Sequence, residues 1–398
     1  MKGQVLFSVP LCLLVANFAF MRKKRLILLI VVLLLAVSQV PFAYRRYKLS
    51  RLSNSIQQLN TQRVAHDANN GFVEYRGVVH VHSFLGGHSS GTFGEIIAAA
   101  QANQLQFVVM TEHTEKDFDT AAMTLSGMHG GVLFINGNEV SAENGDRTLV
   151  LPGELAVVAY PEEFKNWDTP GLDGVEVYNV FTNSRRINPV VAFFDVLWSR
   201  RSYPELIFAQ YLERPYYNLE LWDRALARSR LTAIAGNDAH ANIGVSLKDS
   251  SGKTLLGIQL DPYETSFRLV RLHVLIESGK PLDATSLLEA VRAGHCFIGF
   301  DFLSDSAGFT FDAENAGERK IQGDEISLAK ETRLRVRTPI ASRIVVFKDG
   351  VVFLEENGVN AKELVITERG VYRVEVYLPQ LQMVAEQPWI ISNPIYVR

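Results

Sequence analysis

Cysteine is almost missing from this chain: only Cys12 and Cys296 occur in 398 residues. Cys12 lies in an apolar leader, so one thiol remains for everything downstream. A single thiol cannot close an intramolecular disulfide, and no cysteine-built zinc site is available. An excess of positive charge is missing as well. Lys and Arg number 40 against 43 Asp and Glu, a net charge of −3, and there is no basic patch beyond the leader. That balance argues against a nucleic-acid partner. No low-complexity segment occurs. No Gly-x-x-x-x-Gly-Lys-Ser/Thr loop occurs either, which removes support for a nucleotide triphosphatase. A serine-hydrolase mechanism is not expected. Apolar residues make up 47% of the chain, ample for two cores.

Histidine is scarce, at nine, and its placement is the main signal. Five of the nine fall in short motifs with carboxylates. His80-Val81-His82-Ser83 has His88 six residues on. Thr111-Glu112-His113, Gly137-Asn138-Glu139-Val140 and Gly236-Asn237-Asp238-Ala239-His240 follow. Imidazole and carboxylate together suit Zn, Mn, Fe or Ni. His66, His129, His273 and His295 stand alone and read as ordinary hydrogen-bonded residues.

The motifs also follow runs that read as strands. Tyr75 to His80, Leu105 to Met110, Val132 to Ile135 and Leu231 to Ala235 each lead into one, and Gly174 to Asn179 is a further short strand, whose Glu176 reads equally as a pocket residue and as a plain strand end. Alternation along a strand predicts that His80 and His82 project together. Thr92 to Asn103 reads as a helix with an apolar stripe of Ile96, Ile97 and Ala100. Strand then helix, repeated, predicts an α/β chain built as a parallel β/α barrel. In such barrels chemistry collects at the C-terminal ends of the strands.

His-x-His, a histidine six further on, Thr-acid-His, Gly-x-Glu and Asp-x-His, in this order over about residues 73–300, resemble the polymerase and histidinol phosphatase (PHP) superfamily of metal-dependent hydrolases. The resemblance implies a distorted seven-stranded β/α barrel. It implies one metal held by His80, His82, Glu139 and Asp238, and another by His88, His113 and His240. A third site of the family shares the glutamate and adds two histidines. Here Arg147 and Thr148 occupy the region of the first, and Tyr160 stands in place of the second. Two divalent ions, of Zn, Mn or Fe, are therefore expected. Glu112 replaces the usual aspartate before His113.

Such an ion lowers the pKa of water towards neutrality and polarises a phosphoryl or carbonyl oxygen. Asp238 or Glu112 would orient or deprotonate the water, and Tyr160 would donate to the developing oxyanion. The resemblance implies a hydrolase acting on a small-molecule or lipid-derived ester, with phosphoesters first. Carboxylic or carbamate esters are the variant, and a degenerate module that binds without turnover is the contrasting class. Arg185 and Arg186 are a candidate phosphate clamp, although such a pair more often forms a solvated face.

The N-terminus bears on location. The uncharged run from Leu26 to Ala43 is just long enough to span a bilayer, and Arg22-Lys23-Lys24-Arg25 precede it. Residues 1–45 are expected to form a leader and signal anchor in the inner membrane, with the catalytic part periplasmic or extracellular. Residues 46–72 form a helical stalk with Leu49, Leu52, Ile56 and Leu59 along one face. The barrel occupies 73–301. The aromatic-rich stretch between Asn179 and Asn237 is expected to pack outside the barrel or roof its mouth, as an enlarged ordinary helix. Residues 302–398 alternate apolar and polar, with a turn at Asp349-Gly350, and are expected to form an antiparallel β-sandwich.

Overall fold

The computed structural model describes residues 9–64, 71–184, 188–209, 211–241, 244–248, 254–259 and 262–398. His66, Arg185 and Arg186 lie outside the described residues. The chain folds as a mixed α/β molecule.

Leader and stalk are one helix, Val9–Asn60, which runs through Pro41. From Leu26 to Leu35 every side chain is exposed, and this is the one helix among the described residues long and apolar enough to cross a membrane. The same helix then meets the body. Leu49, Leu52 and Leu59 are buried in the main core with Ile56 packed against it. The expected stripe at spacings of three, four and three is thus a docking face.

Phe72–Val81 is the central strand. It pairs in parallel with Phe107–Met110 and antiparallel with Arg271–Glu277. Phe107–Met110 pairs in parallel with Val132–Ile135. Just past each of these, Glu112–His113 and Asn138–Ser141 continue the parallel pairing. The order then runs through Arg147–Leu151, Leu155–Ala159, Leu172–Asn179 and Thr232–Gly236. It returns to the start, where Val81 bridges Ala239 and the Asn237 amide donates to the Val79 carbonyl at 2.9 Å.

The expected strand–helix alternation fails from Asn138 to Asn179, where no helix separates the strands, Leu155–Ala159 and its parallel neighbour Leu172–Asn179 included. Asn138–Ser141, Arg147–Leu151 and Leu155–Ala159 form an antiparallel meander with no helix between them. The connections explain this. Gly145 has φ 89°, and Gly153 and Glu154 have φ 73° and 57°. Tight left-handed turns of this length can join only antiparallel neighbours, because parallel ones need a long crossover.

The C-terminal strands continue the sheet that carries Phe72–Val81. Cys296–Gly299 pairs with Arg271–Glu277 on one side and with Pro388–Ser392 on the other. Arg333–Lys348, Val351–Val365 and Gly370–Tyr377 add to it antiparallel. Sheet hydrogen bonds therefore cross the boundary expected at 301/302. The Asp349-Gly350 turn is present, with both φ values positive (50° and 80°). Asn393 reaches back to the strand that precedes Asp238. Its side chain accepts from the Ala233 amide at 2.7 Å and donates to the Ala233 carbonyl at 3.1 Å.

Candidate metal centre

Strand ends deliver seven of the nine predicted residues to one place. His80 and His82 come from the end of Phe72–Val81, His113 from Glu112–His113 and Glu139 from Asn138–Ser141. Asp238 and His240 follow Thr232–Gly236, and Tyr160 follows Leu155–Ala159. Plain alternation is not what aims them. His80, Tyr160 and Asp238 have φ of 65°, 51° and 48°, a left-handed conformation that costs a non-glycine residue about 1–3 kcal/mol. At His80 the pairing register slips: Val78 faces Val108 but Val81 faces Met110. One extra residue enters the strand, which is a β-bulge. The expectation that alternation alone projects His80 and His82 together is corrected accordingly. Hydrogen bonds from the His82 amide to the Ala239 carbonyl (3.0 Å) and from the Ala239 amide to the His80 carbonyl (3.2 Å) hold the strained ends together.

The donor atoms converge. Glu139 Oε2 lies 3.4 Å from His80 Nε2, 3.6 Å from His82 Nε2 and 3.4 Å from His113 Nδ1. Asp238 Oδ1 lies 3.6 Å from His80 Nε2, 3.4 Å from His82 Nε2 and 3.3 Å from His240 Nδ1. A tetrahedron with bonds of about 2.1 Å has edges of about 3.4 Å, so these are separations that one ion can fill. Among the described residues, two groups of three have ligand atoms within 4.8 Å of one another: His80, His82 and Glu139, and His82, His113 and His240. Both nitrogens of His82 and Oδ1 of Asp238 are, among the described residues, buried without a hydrogen bond. Buried polar atoms are rarely left so, and a cation is the partner this donor set fits.

Three of the four donors, His82, Glu139 and Asp238, are already free of a proton for that partner. Burial pushes the His82 imidazole down to about 3, helped by the His80 and His240 charges, so its nitrogen lone pair is free. Burial opposes charge on Glu139, but His80, His82 and His113 outweigh it and bring the carboxyl down to about 2. Asp238 is likewise held well below the ordinary carboxylate range by His80 and His82 against its burial. Metal ligands must be deprotonated to bind, and these groups are. His80 differs. Burial disfavours its charge, yet Glu176, Asp238 and Glu139 hold its pKa well above the ordinary value.

Glu176 is the residue the sequence left between pocket and plain strand end. It is fully buried, with Oε1 2.6 Å from His80 Nδ1 and Oε2 accepting from Asn179 Nδ2 at 3.1 Å. A carboxylate behind a ligating imidazole fixes its tautomer and ring orientation. Gly236 makes room for it: a Cβ there would lie 1.5 Å from Glu176 Oε1. That glycine, in Gly-Asn-Asp, was the available signal.

Tyr160 faces the site as expected and donates to Asp238 Oδ2 at 2.7 Å. Burial, with Asp238, Glu139 and Glu176 nearby, raises its pKa and keeps the phenol protonated. Arg147 sits where a family histidine is expected. Its guanidinium is 3.2 Å from Glu139 Oε1 and packs over the Tyr160 ring at 5.1 Å. His88 is exposed. Its ring lies 4.8 Å from that of His113, but His82, not His88, completes the group with His113 and His240.

Glu112 has another occupation. Oε1 accepts from the Ser83 hydroxyl at 2.6 Å and the Thr124 hydroxyl at 2.7 Å, and Oε2 accepts from the Ser83 amide at 2.9 Å. The carboxylate braces the turn after His82 rather than joining the ligand atoms. Against the expectation that no serine-hydrolase elbow is present, Gly87-His88-Ser89-Ser90-Gly91 has the spacing of one. No strand leads straight into it, and the Ser89 hydroxyl donates to the His240 carbonyl, so it braces the loop.

Comparison of the chain with protein-family models, with curated proteins and with solved structures finds no match in any of the three.

Proposed function

We propose that this chain is a membrane-anchored, metal-dependent hydrolase of the PHP kind whose substrates are phosphoesters. The strands from Phe72–Val81 round to Thr232–Gly236 are read as its distorted barrel, with Phe107–His113 and Val132–Ser141 as broken staves. The strands after residue 302 are read as the appended β domain. The single observation that carries the reading is the buried convergence of His80, His82, Glu139 and Asp238, with His82 and Asp238 Oδ1 lacking hydrogen bonds.

Those four residues would hold one divalent ion, Zn, Mn or Fe; His113 and His240 offer donors to a second, which would need another ligand in place of His82, because His82 is shared between the two groups. Such an ion supplies Lewis acidity and a nucleophile at neutral pH. The chain's own groups do the rest. Glu176 orients His80, Tyr160 steers Asp238 and remains a proton-bearing donor near the reacting oxygens, and Asp238 orients the attacking water. The Arg147 side chain, 39% exposed, offers a charged fork to a phosphoryl oxygen at the rim. Basic residues before the apolar run (Arg22 to Arg25) and after it (Arg45, Arg46, Lys48 and Arg51) nearly balance, so export of the body, with the site in the periplasm or outside the cell, rests on the run being a single N-terminal segment with basic flanks.

A second reading is a ligand-binding module without turnover. The Arg147–Glu139 pair favours it, since it engages one oxygen of a ligating carboxylate. Metal-stripped full chain, assayed with phosphomonoesters, phosphodiesters, carboxylic esters and carbamates before and after Zn, Mn or Fe is added, separates the readings. Metal-restored turnover of a phosphoester supports the proposal. Turnover of carboxylic esters or carbamates alone moves the substrate class. Ligand affinity with no turnover under any metal overturns the enzyme reading.

A further inference from the structure

We infer that the helix Pro189–Ser199 lies in the lipid–water interface beside the spanning helix, so that the protein body rests on the bilayer through a second contact. The helix is polar on the wrong side for a water-facing one. Its only charged residue, Asp195, is 2% exposed and points inward, while Val190 and Leu197 are 63% and 55% exposed. Phe193 and Phe194 lie between those two at helical spacing and are half-buried. A surface helix normally turns its apolar stripe to the core and its charges to water. This one buries Asp195 and Ser199 together with Val196 and leaves a second apolar stripe, Val190 to Leu197, facing outward, and that stripe needs an apolar partner.

Its position names that partner. The Phe194 ring stacks on Phe42 at 4.8 Å, and Trp198 Nε1 donates to Gln39 Oε1 at 3.0 Å. The Arg45 guanidinium forms a fork with Asp195 at 2.8 and 2.6 Å and donates to the Tyr211 hydroxyl at 2.8 Å. Arg46 donates to the Trp198 carbonyl and to the Ser202 hydroxyl. All of these lie on residues 39–46 of the long helix. A hydrocarbon layer about 30 Å thick takes up about 20 helical residues; counted from Leu26, it ends near Arg45. The contact is therefore at the level where the span leaves the membrane. Tyr44 and Tyr47 are exposed at the same level, as aromatic residues at an interface are. Arg200 and Arg201 are exposed at the end of the short helix, placed to meet lipid phosphates. An apolar outward stripe with basic residues at its edge is the pattern of a helix lying in the interface plane.

The inference rests on the long helix crossing the bilayer, and its test separates the two. Full-length chain, with Cys12 replaced by serine and the fully buried Cys296 retained, receives one cysteine at a time: Leu197→Cys, Leu33→Cys within the span, and Glu220→Cys on an exposed face elsewhere. Each is labelled with an environment-sensitive fluorophore in nanodiscs of phosphatidylcholine and phosphatidylglycerol, with and without doxyl-labelled lipid. Emission at 197 is expected to shift to the blue and to be quenched by doxyl lipid, as at 33, while 220 is quenched only by aqueous iodide. Quenching at 33 but not at 197 overturns the inference and leaves the anchor standing. Absence of lipid quenching at both overturns both. A label at 197 shielded from iodide yet untouched by doxyl lipid assigns the stripe to a second copy of the chain and also overturns the inference.

Discussion

Replacing Glu176 by glutamine probes the centre without touching a proposed ligand. Its Oε1 stands 2.6 Å from His80 Nδ1 with both residues fully buried. Glutamine keeps the length and an acceptor oxygen but removes the charge. A partner of this kind is worth about 10–100-fold in metal affinity, so E176Q should weaken binding by that factor, or about 1.4–2.7 kcal/mol. Gly236→Ala reaches the same contact from behind. Its Cβ would lie 1.5 Å from Glu176 Oε1 and 3.0 Å from His80 Cβ, so the carboxylate must leave the imidazole. The single variants should lose affinity by similar factors. The double variant should lose less than their product, because both break one contact. Chelator-competition titration of Zn or Mn measures this, with thermal unfolding run alongside to show that each variant folds. Affinity of E176Q within about two-fold of the parent, or full additivity of the pair, would refute the reasoning.

Arg147→Ala should raise KM for a phosphoester about ten-fold, the scale of one charge-assisted hydrogen bond at a half-exposed site, with kcat less affected; a loss confined to kcat would contradict the rim role. His273 carries a different expectation. Burial opposes its charge, but Asp301 and Glu74 raise it to about 9 from 6.5. A raised imidazole stabilises fully below the unfolded value and loses that contribution as pH rises through the folded one. Stability should therefore fall by up to about 3 kcal/mol between pH of about 6.5 and about 9. Urea unfolding of the parent and of His273→Gln checks it, and the variant should show the smaller fall. A topology reporter fused after Arg51 should report outside the cytoplasm; a cytoplasmic signal would reverse the orientation.

The candidate donor cluster was legible because histidine is rare in this chain and these histidines stand just past apolar runs, a pattern that local chemistry alone carries. The geometry that assembles it was not. Nothing in His80, Tyr160 or Asp238 announces a left-handed backbone; that conformation is imposed by hydrogen bonds between strand ends distant in sequence. Glu112 looked like an acid at the site, but three donors from Ser83 and Thr124 claim it, and such partners emerge only after folding. Glu176 was ambiguous for the converse reason, since its value depends on His80 standing 2.6 Å away. The meander after Asn138 was hidden by expecting a helix after every strand, although Gly145 and Pro152-Gly153 marked turns too short for one. The Asp349-Gly350 hairpin was read directly, because two left-handed residues are what that turn needs. That the C-terminal strands join the central sheet depends on the Cys296–Gly299 pairing with Pro388–Ser392, a contact no local pattern encodes.

The most direct test of the central claim is anomalous diffraction, at the Zn, Mn and Fe absorption edges, from crystals of the metal-loaded protein. The account predicts a peak about 2.0–2.3 Å from donor atoms of His80, His82, Glu139 and Asp238, and fewer than three peaks per chain. No peak among those four residues, an Asp238 carboxylate turned away from both histidines, or three peaks in the unaltered protein would contradict it.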